Sequence, residues 1–445
     1  MGKYFGTDGI RGKAEMFTGE FLERIVRGLG VNGKRVLIGG DTRESTARIL
    51  ADLEVSLKNN GAKEVGELGV FPTPGINYVM WALVYDYAID VTASHNPYTD
   101  NGIKIFEYGE TGGSKLSENG RARIEQMLAD DSPLEIKINE AETEITNEEQ
   151  RGRGYYTKHL EEYMKGARLA GLKVALDCAN GATGMIGKTV FERLGAEVEV
   201  INDDMEFGQK INDGVGSTHI EGLIEKVREG GFKLGAAFDG DGDRCMLVDE
   251  HGEVVDGDQV LAILAEYWEL SGVVATVMAN QGLLNWGKER RVEVVTADVG
   301  DQNVAAEMLA RGIKLGGEQS GHVILPGEAM GDGMLTALMV AKVMSETSKP
   351  LSELARTMKK LPQVMRNLPA TKEEKSKLKT LPRVQEILAE YAERLAETNG
   401  RVLVRPSGTE DLVRVTMWGE SQEKIELLAN ELVETLTKEL KNGEN

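Results

Sequence analysis

The chain has 445 residues, 41% hydrophobic and 28% charged, with 73 Asp and Glu against 52 Lys and Arg for a formal net charge of −21. That length fits three or four domains at roughly 100–200 residues each; the composition excludes a disordered chain, and no apolar run reaches the ~20 residues of a membrane helix. The acidic balance argues against nucleic-acid binding, yet one locally basic cleft could still take a small anion, because surface charges are screened beyond ~8 Å.

From the amino terminus, Met1-Gly2-Lys3-Tyr4-Phe5-Gly6 lacks the apolar stretch of a secretory leader. With only Cys178 and Cys245 in the chain, a reducing cytoplasm is expected. Gly6-Thr7-Asp8-Gly9-Ile10-Arg11-Gly12 could carry Arg11 to a charged site or be a flexible terminus. Gly28-Leu29-Gly30-Val31-Asn32-Gly33 matches a dinucleotide fingerprint but follows a helix and precedes a strand, the reverse of Rossmann order. Strands are expected at 35–38, 64–70 and 87–91, with a helix over about 42–58. Further on, 172–176 and 196–200 flank a helix near 186–194, and 234–238 and 245–248 are strands. This alternation predicts parallel α/β units. Strand, polar turn and helix recur at 37–43, 174–182 and 274–282, which predicts three related α/β domains with ligands at the carboxyl ends of strands. Edges are expected near 150, after an acidic stretch, near 250–252 and within 361–369. The domains are then 1–150, 151–251, 252–365 and 366–445. The last has strands at 401–404 and 412–418 and a helix with Ile425, Leu428, Leu432, Leu436 and Leu440 on one face, a small α+β domain.

Four loops could carry chemistry. Thr92-Ala93-Ser94-His95-Asn96-Pro97, with Asn101-Gly102-Ile103-Lys104 behind it, places Ser94 at the end of a strand. A nucleophilic serine needs a partner; consecutive side chains diverge, so a simple Ser94–His95 pair is not expected, and a polar capping turn is the plain alternative. Asp239-Gly240-Asp241-Gly242-Asp243-Arg244 sets three carboxylates at alternate positions, where they repel one another unless a cation joins them. Three carboxylates leave room for a phosphate oxygen or water, which suits Mg²⁺. An EF-hand does not fit, because Arg244 stands where that loop needs glycine. Gly316-Gly317-Glu318-Gln319-Ser320-Gly321-His322 offers polar groups for vicinal hydroxyls and a proton carrier in His322. Arg405-Pro406-Ser407-Gly408-Thr409-Glu410, followed by Arg414, reads as a phosphate cradle or as a hairpin turn.

Taken in this order along the whole chain, the four loops resemble those of the α-D-phosphohexomutase family. The resemblance implies an α/β fold of three related α/β domains plus a small C-terminal α+β domain around a central cleft. It implies Ser94 carried as phosphoserine and one Mg²⁺ held by Asp239, Asp241, Asp243 and the Ser94 phosphate. Glu318 and Ser320 would bind sugar hydroxyls, and Arg405, Ser407, Gly408, Thr409 and Arg414 the non-reacting phosphate. Arg11, Lys104, Arg244 and His322 would line the reacting end, with Lys104 or His322 moving the hydroxyl proton. The implied activity passes the phosphoryl group of Ser94 to a hexosamine or hexose phosphate and takes the other phosphate back, with a bisphosphate sugar as intermediate and activator, in a monomer or homodimer.

Two details are most like members acting on glucosamine phosphates: the stretches 6–12 and 94–104, and Gln319, where members acting on mannose and glucose phosphates usually carry methionine. Those members are the alternative. Val299-Gly300-Asp301-Gln302-Asn303-Val304 lacks an arginine and a tyrosine usual in the glucosamine-phosphate branch. A silent sugar-phosphate sensor is the reading from another class; Ser94 and the three aspartates argue against it, since binding alone needs no phosphoryl carrier.

Overall fold

The computed structural model describes residues 2–6, 8–109, 112–130, 132–134, 142–407 and 410–442. They form two compact units, residues 1–277 with 295–356 and residues 278–294 with 357–445. No described helix is long and apolar enough to cross a membrane.

The first unit carries three sheets. In the first, the strands lie in the order Ile10–Lys13, Asp100–Tyr108, Tyr87–Val91, Arg35–Gly40, Glu64–Val70, Glu144–Asn147, with Gly113–Lys115 added against Asp100–Tyr108. Arg35–Gly40 is parallel to both neighbours. Its Val36, Leu37 and Ile38 are all buried, as a parallel strand covered on both faces requires. Helices Gly19–Leu29 and Thr46–Asn59 press Leu22, Ile25, Val26, Ile49, Leu53 and Leu57 onto Val36, Ile38, Ile89 and Val91 in one core. The glycines at 28 and 30 serve this packing. A Cβ on Gly28 would stand 2.7 Å from Ile124 Cα, and Gly30 closes the helix in the left-handed region at φ 76°.

The second sheet runs Val254–Val255, Cys245–Asp249, Leu234–Phe238, Lys173–Asp177, Glu197–Ile201, and the third Glu293–Ala297, Gly272–Thr276, Gly316–Gly317, Val323–Ile324. In the second unit, Leu412–Trp418 lies between Gln363–Pro369 and Arg401–Pro406, antiparallel to both. Helix Gln422–Asn442 buries Ile425, Leu428, Leu432, Leu436 and Leu440 in that unit's core, as its spacing predicts. The stretch 361–369, expected to be a domain edge, holds the strand Gln363–Pro369, whose polar Gln363, Arg366 and Asn367 mask its ladder pairing in the sequence. The helix expected from 42 begins at Thr46; Asp41 and Arg43 before it bond instead to Thr92, Ser94 and Asn96.

All four loops singled out from the sequence occupy the same kind of place. Residues 92–99 join Tyr87–Val91 to its antiparallel neighbour Asp100–Tyr108, and 239–244 join Leu234–Phe238 to Cys245–Asp249. Residues 318–322 join Gly316–Gly317 to Val323–Ile324, and 407–411 join Arg401–Pro406 to Leu412–Trp418. Where both ends of a loop are locked in one ladder, the paired strands fix the points from which it leaves and to which it returns.

Candidate active site

The serine and metal loops meet. Ser94 is buried, its Oγ donates to Asp239 Oδ2 at 2.7 Å, and a Cβ on Gly240 would come within 2.9 Å of Ser94 O. Ser94 adopts φ 52°, in the left-handed region that non-glycine residues enter only when their surroundings impose it. This conformation turns consecutive side chains to one side, so His95 Nδ1 lies 3.2 Å from Ser94 Oγ. The Ser94–His95 contact, not expected from sequence, therefore exists. Burial, then Arg244 and Arg11, lower the His95 pKa to about 4, so the ring is neutral.

Asp239, Asp241 and Asp243 offer oxygens that all lie within 4.8 Å of one another. Lys104 Nζ donates to Asp241 Oδ2 at 2.7 Å and to Asp243 Oδ2 at 3.0 Å, leaving the other oxygen of each buried without a hydrogen-bond partner. Asp239 is pushed well above the usual carboxylate range by burial and by Asp243 and Asp241. Burial opposes the charged forms of Asp243 and Lys104 too, but Lys104 above all outweighs it at Asp243, and Asp241, Asp243 and Asp8 outweigh it at Lys104, so Asp243 stays ionised and Lys104 keeps its proton. Unsatisfied buried carboxylate oxygens converging from one loop fit a hard divalent cation.

A second set of orphans has the opposite sign. Arg11 Nε and Arg244 Nε are buried without a hydrogen-bond partner. Asp8 fixes Arg11, accepting from its Nη2 at 2.6 Å, and also takes Lys115 at 2.6 Å and Lys104 at 3.0 Å. Lys115 reaches on to Asp301, which lies 3.9 Å from His322 Nε2; His322 Nδ1 is 3.8 Å from Asp243 Oδ1. Burial works against a charged His322, but Asp243, Asp301 and Glu318 raise its pKa to about 9. Gly331 N–H, however, donates to Nε2 at 3.1 Å and needs a lone pair there. The hydrogen bond decides the state: a ring with protons on both nitrogens would set N–H against N–H at Gly331, so the ring is neutral with its proton on Nδ1, facing Asp243.

Behind the metal loop, Thr73 Oγ1 lies 2.5 Å from Asp90 Oδ2 and 2.9 Å from Asp241 Oδ2. One hydroxyl proton cannot serve both carboxylates. Burial raises the Asp90 pKa well above its ordinary value, so Asp90 carries its own proton to Thr73, and Thr73 donates to Asp241.

Glu318 Oε1 accepts from Gly300 N–H at 3.1 Å, and its Oε2 lies 3.5 Å from the exposed Ser320 hydroxyl. Gln319 Nε2 donates to Asp256 Oδ2 at 3.2 Å, and Asp256 caps helix Gly257–Tyr267. In the second unit, Arg405 and Arg414 are cross-strand partners, and directly opposite residues share a face. Arg414 Nη2 donates to Glu410 Oε2 at 2.6 Å, and Ser407 Oγ accepts from Glu410 N–H at 3.2 Å. Gly408 and Thr409 lie outside the described residues. The structure thus brings Ser94, the three aspartates, Lys104, Arg244, His322 and, through Asp8, Arg11 into one cluster. Sequence reasoning missed His95, Asp8, Thr73, Asp301 and Arg43. For Arg43 there was a signal, its place just past a parallel strand's carboxyl end.

Family models for phosphoglucomutase/phosphomannomutase match four consecutive parts of the chain: alpha/beta/alpha domain I over residues 2–134, domain II over 154–252, domain III over 256–361 and the C-terminal domain over 365–435. The chain belongs to this family. It is 42% identical to the phosphoglucosamine mutase of Brevibacillus brevis, covering 99% of this chain and 100% of that one, and 40% identical to that of Geobacillus kaustophilus, covering 99% of each. Among solved structures, a phosphoglucomutase/phosphomannomutase family protein from Burkholderia thailandensis superposes with a TM-score of 0.77 at 21% identity, covering 99% of this chain and 98% of that one. Aspergillus fumigatus N-acetylphosphoglucosamine mutase, in complex with GlcNAc-6P and magnesium, gives 0.70 at 18% identity, covering 99% and 96%. These structures share the fold.

Proposed function

We propose that this enzyme is a mutase interconverting glucosamine 6-phosphate and glucosamine 1-phosphate through phosphoserine at Ser94. The observation that carries this reading is the paired set of orphans in the cluster that holds Ser94, where even Arg244 Nε and Asp243 Oδ1 stand 3.9 Å apart, too far to hydrogen-bond each other. Buried carboxylate oxygens at Asp241 and Asp243 call for a cation, and buried guanidinium N–H groups at Arg11 and Arg244 call for an anion. A phosphoryl group with its counter-ion supplies both. The full-length identity to phosphoglucosamine mutases supports the amino-sugar substrate.

Mg²⁺ held by Asp239, Asp241, Asp243 and the Ser94 phosphate would spread the negative charge that develops during transfer. Ser94 hands its phosphoryl group to a sugar hydroxyl: the bond from phosphorus to Ser94 Oγ breaks and a bond to the sugar oxygen forms. The sugar bisphosphate turns around and returns its other phosphoryl group to Ser94. Arg11 and Arg244 hold the equatorial oxygens. Lys104, kept protonated by Asp8, Asp241 and Asp243, is set to give a proton to the departing oxygen; His322, with Asp243 beside it, accepts one at Nε2 by giving up its bond from Gly331 N–H. Glu318 and Ser320 bind sugar hydroxyls, and Arg405, Ser407, Gly408, Thr409 and Arg414 hold the phosphate that does not react.

One observation favours a second reading, a mutase of mannose or glucose phosphates: the Gln319 amide is engaged by Asp256, so it is not free to select an amino sugar. The test is kcat/KM for glucosamine, glucose and mannose 6-phosphates in parallel with one activating bisphosphate. Glucosamine phosphate should lead. A tenfold lead for either hexose, about 1.4 kcal/mol, would replace the amino-sugar reading.

A further inference from the structure

We propose that Arg43 is a positioning residue for phosphoryl transfer, moulding the Ser94 loop from behind; this rests on the reading of Ser94 as the carrier. The Arg43 side chain is wholly buried, as is that of Asp41, its ionic partner at 2.9 Å. Nη2 donates to Ser94 O and Asn96 O, both at 2.8 Å, and Nη1 donates to Pro97 O and, at 3.0 Å, to Asp100 O. A guanidinium has five N–H donors. Here each one ends on an acceptor, and four end on main-chain carbonyls of the span 94–100.

Carbonyls gathered on one centre are not a shape that a loop keeps by itself: Asn212 Nδ2 also reaches Ser94 O and Asn96 O, and Asp100 N–H reaches Pro97 O, but only the fork draws all four carbonyls to one point. The fork therefore dictates the loop. Its control reaches Ser94 from both sides. Asn212 Nδ2 joins Arg43 on Ser94 O at 2.8 Å. The Ser94 N–H donates at 2.9 Å to Thr92 Oγ1, and Thr92 Oγ1 donates at 2.6 Å to Asp41, the carboxylate on which Arg43 rests. The Asp41–Arg43 pair thus holds both the amide and the carbonyl of the one residue whose left-handed conformation aims Oγ at Asp239. Both Arg43 Nη atoms bond to main-chain carbonyls, so it acts on Oγ through the backbone. Lysine keeps the charge but offers a single ammonium, which cannot span four carbonyls.

The experiment uses the full-length enzyme as Arg43→Lys, Arg43→Ala, Asn212→Ala and Ser94→Ala. Dephosphorylated protein is mixed with glucose 1,6-bisphosphate, and phosphorylation of Ser94 is timed by mass spectrometry. Steady-state kcat and KM for glucosamine 6-phosphate, and melting temperatures, are taken alongside. Arg43→Lys should slow both Ser94 phosphorylation and kcat by about 100-fold, the scale of a misplaced reacting group, with KM within about threefold of the parent. Guanidinium ion at millimolar levels should restore at least about tenfold to Arg43→Ala and nothing to Ser94→Ala. Asn212→Ala, which removes one clamp and keeps the fork, should lose about tenfold.

Parent-like phosphorylation in Arg43→Lys would overturn the proposal. So would a loss in Arg43→Ala that guanidinium does not relieve, or a loss in Asn212→Ala as large as that in Arg43→Lys. If Ser94→Ala kept its turnover, the carrier reading itself would fall, an outcome distinct from any failure of the Arg43 arms against a dead Ser94→Ala.

Discussion

In the cluster around Ser94 the charges are shut away from water: the Lys104 and Asp241 side chains are 3% and 1% exposed, whereas the Arg414 and Glu410 side chains of the hairpin 401–418 are 31% and 53% exposed. Both regions are loops between antiparallel strands, and both are proposed to handle phosphate. The difference lies in the dielectric around them. Buried charges act on a reacting group with little screening and cannot relax away from it, so they suit a site where charge develops. A guanidinium as exposed as that of Arg414 is screened by water, which suits a grip that holds one phosphate equally in ground and transition states. Changes in the first region should then appear in kcat and changes in the second in KM.

Ser94→Ala tests the contrast most severely. With no phosphoryl carrier, kcat should fall by roughly 10⁴-fold or more while the melting temperature stays near the parent's. An alanine variant with most of its turnover would put the chemistry elsewhere. Asp241→Asn removes one of the oxygens left orphaned and should lower kcat by about 10²-fold or more. The parent, stripped with EDTA, should regain both activity and melting temperature when Mg²⁺ is added, because an ion bound only by the folded state stabilises it. Stability unmoved by Mg²⁺ would refute the metal site.

Asp8 tests why so much buried charge is tolerated. Burial disfavours its ionised form, but Lys104, Lys115 and Arg11 outweigh that and hold its pKa below the ordinary 3.8. For a carboxyl depressed in the folded state, the stabilisation is fully present above the unfolded value and is lost as pH falls through the folded one. Asp8→Asn should therefore cost on the order of 3 kcal/mol near neutral pH, leaving three cations without their shared partner, and the gap to the parent should begin to narrow below about pH 4 and go on narrowing as pH falls toward the much lower folded value. A gap that stays constant down to acid pH would mean the loss is steric. Arg405→Ala, on the strand position opposite Arg414, should raise KM for glucosamine 6-phosphate by about tenfold with kcat nearly unchanged. A fall in kcat with unchanged KM would erase the contrast between the two regions.

How much of this was legible in the sequence follows from which contacts are local. The metal loop keeps its three carboxylates within five residues, and the strand before it is apolar throughout, so spacing alone reveals it. The strands 64–70, 87–91 and 234–238 were readable from their own short, largely apolar runs, as was the buried face of the last helix from its spacing. The strand Gln363–Pro369 was not, because a strand with polar residues in its pattern is fixed by its ladder with Leu412–Trp418 and not by its own periodicity. The support around Ser94 was hidden more deeply. Asp41 and Arg43 lie some fifty residues before it, Asn212 and Asp239 more than a hundred after it, and no spacing rule connects them. The Ser94–His95 contact was misjudged because it depends on a backbone conformation that a serine adopts only under outside constraint.

Gln319 gives the smallest effect and a test of that lesson. Read from sequence, its amide could choose the sugar; in the structure the amide donates to Asp256 Oδ2 at 3.2 Å, and the Gln319 carbonyl accepts from Gly257 N–H at 3.1 Å. Both contacts tie the sugar loop to the start of helix Gly257–Tyr267, so the side chain acts on the loop's position and not on the ligand. Asp256 would still cap that helix through Gln259 N–H after the change. Gln319→Met should therefore remove one hydrogen bond to a capping carboxylate, a loss of about 1 kcal/mol in stability. The ratio of kcat/KM between glucosamine and glucose 6-phosphates should stay within about twofold of the parent's, less than the tenfold of a single lost selective contact. Glu318→Gln is the contrasting variant: its carboxylate faces the exposed Ser320 hydroxyl and receives Gly300 N–H. If Gln319→Met shifts the ratio tenfold while Glu318→Gln leaves it alone, specificity belongs to the amide after all, and its bond to Asp256 must break when sugar binds.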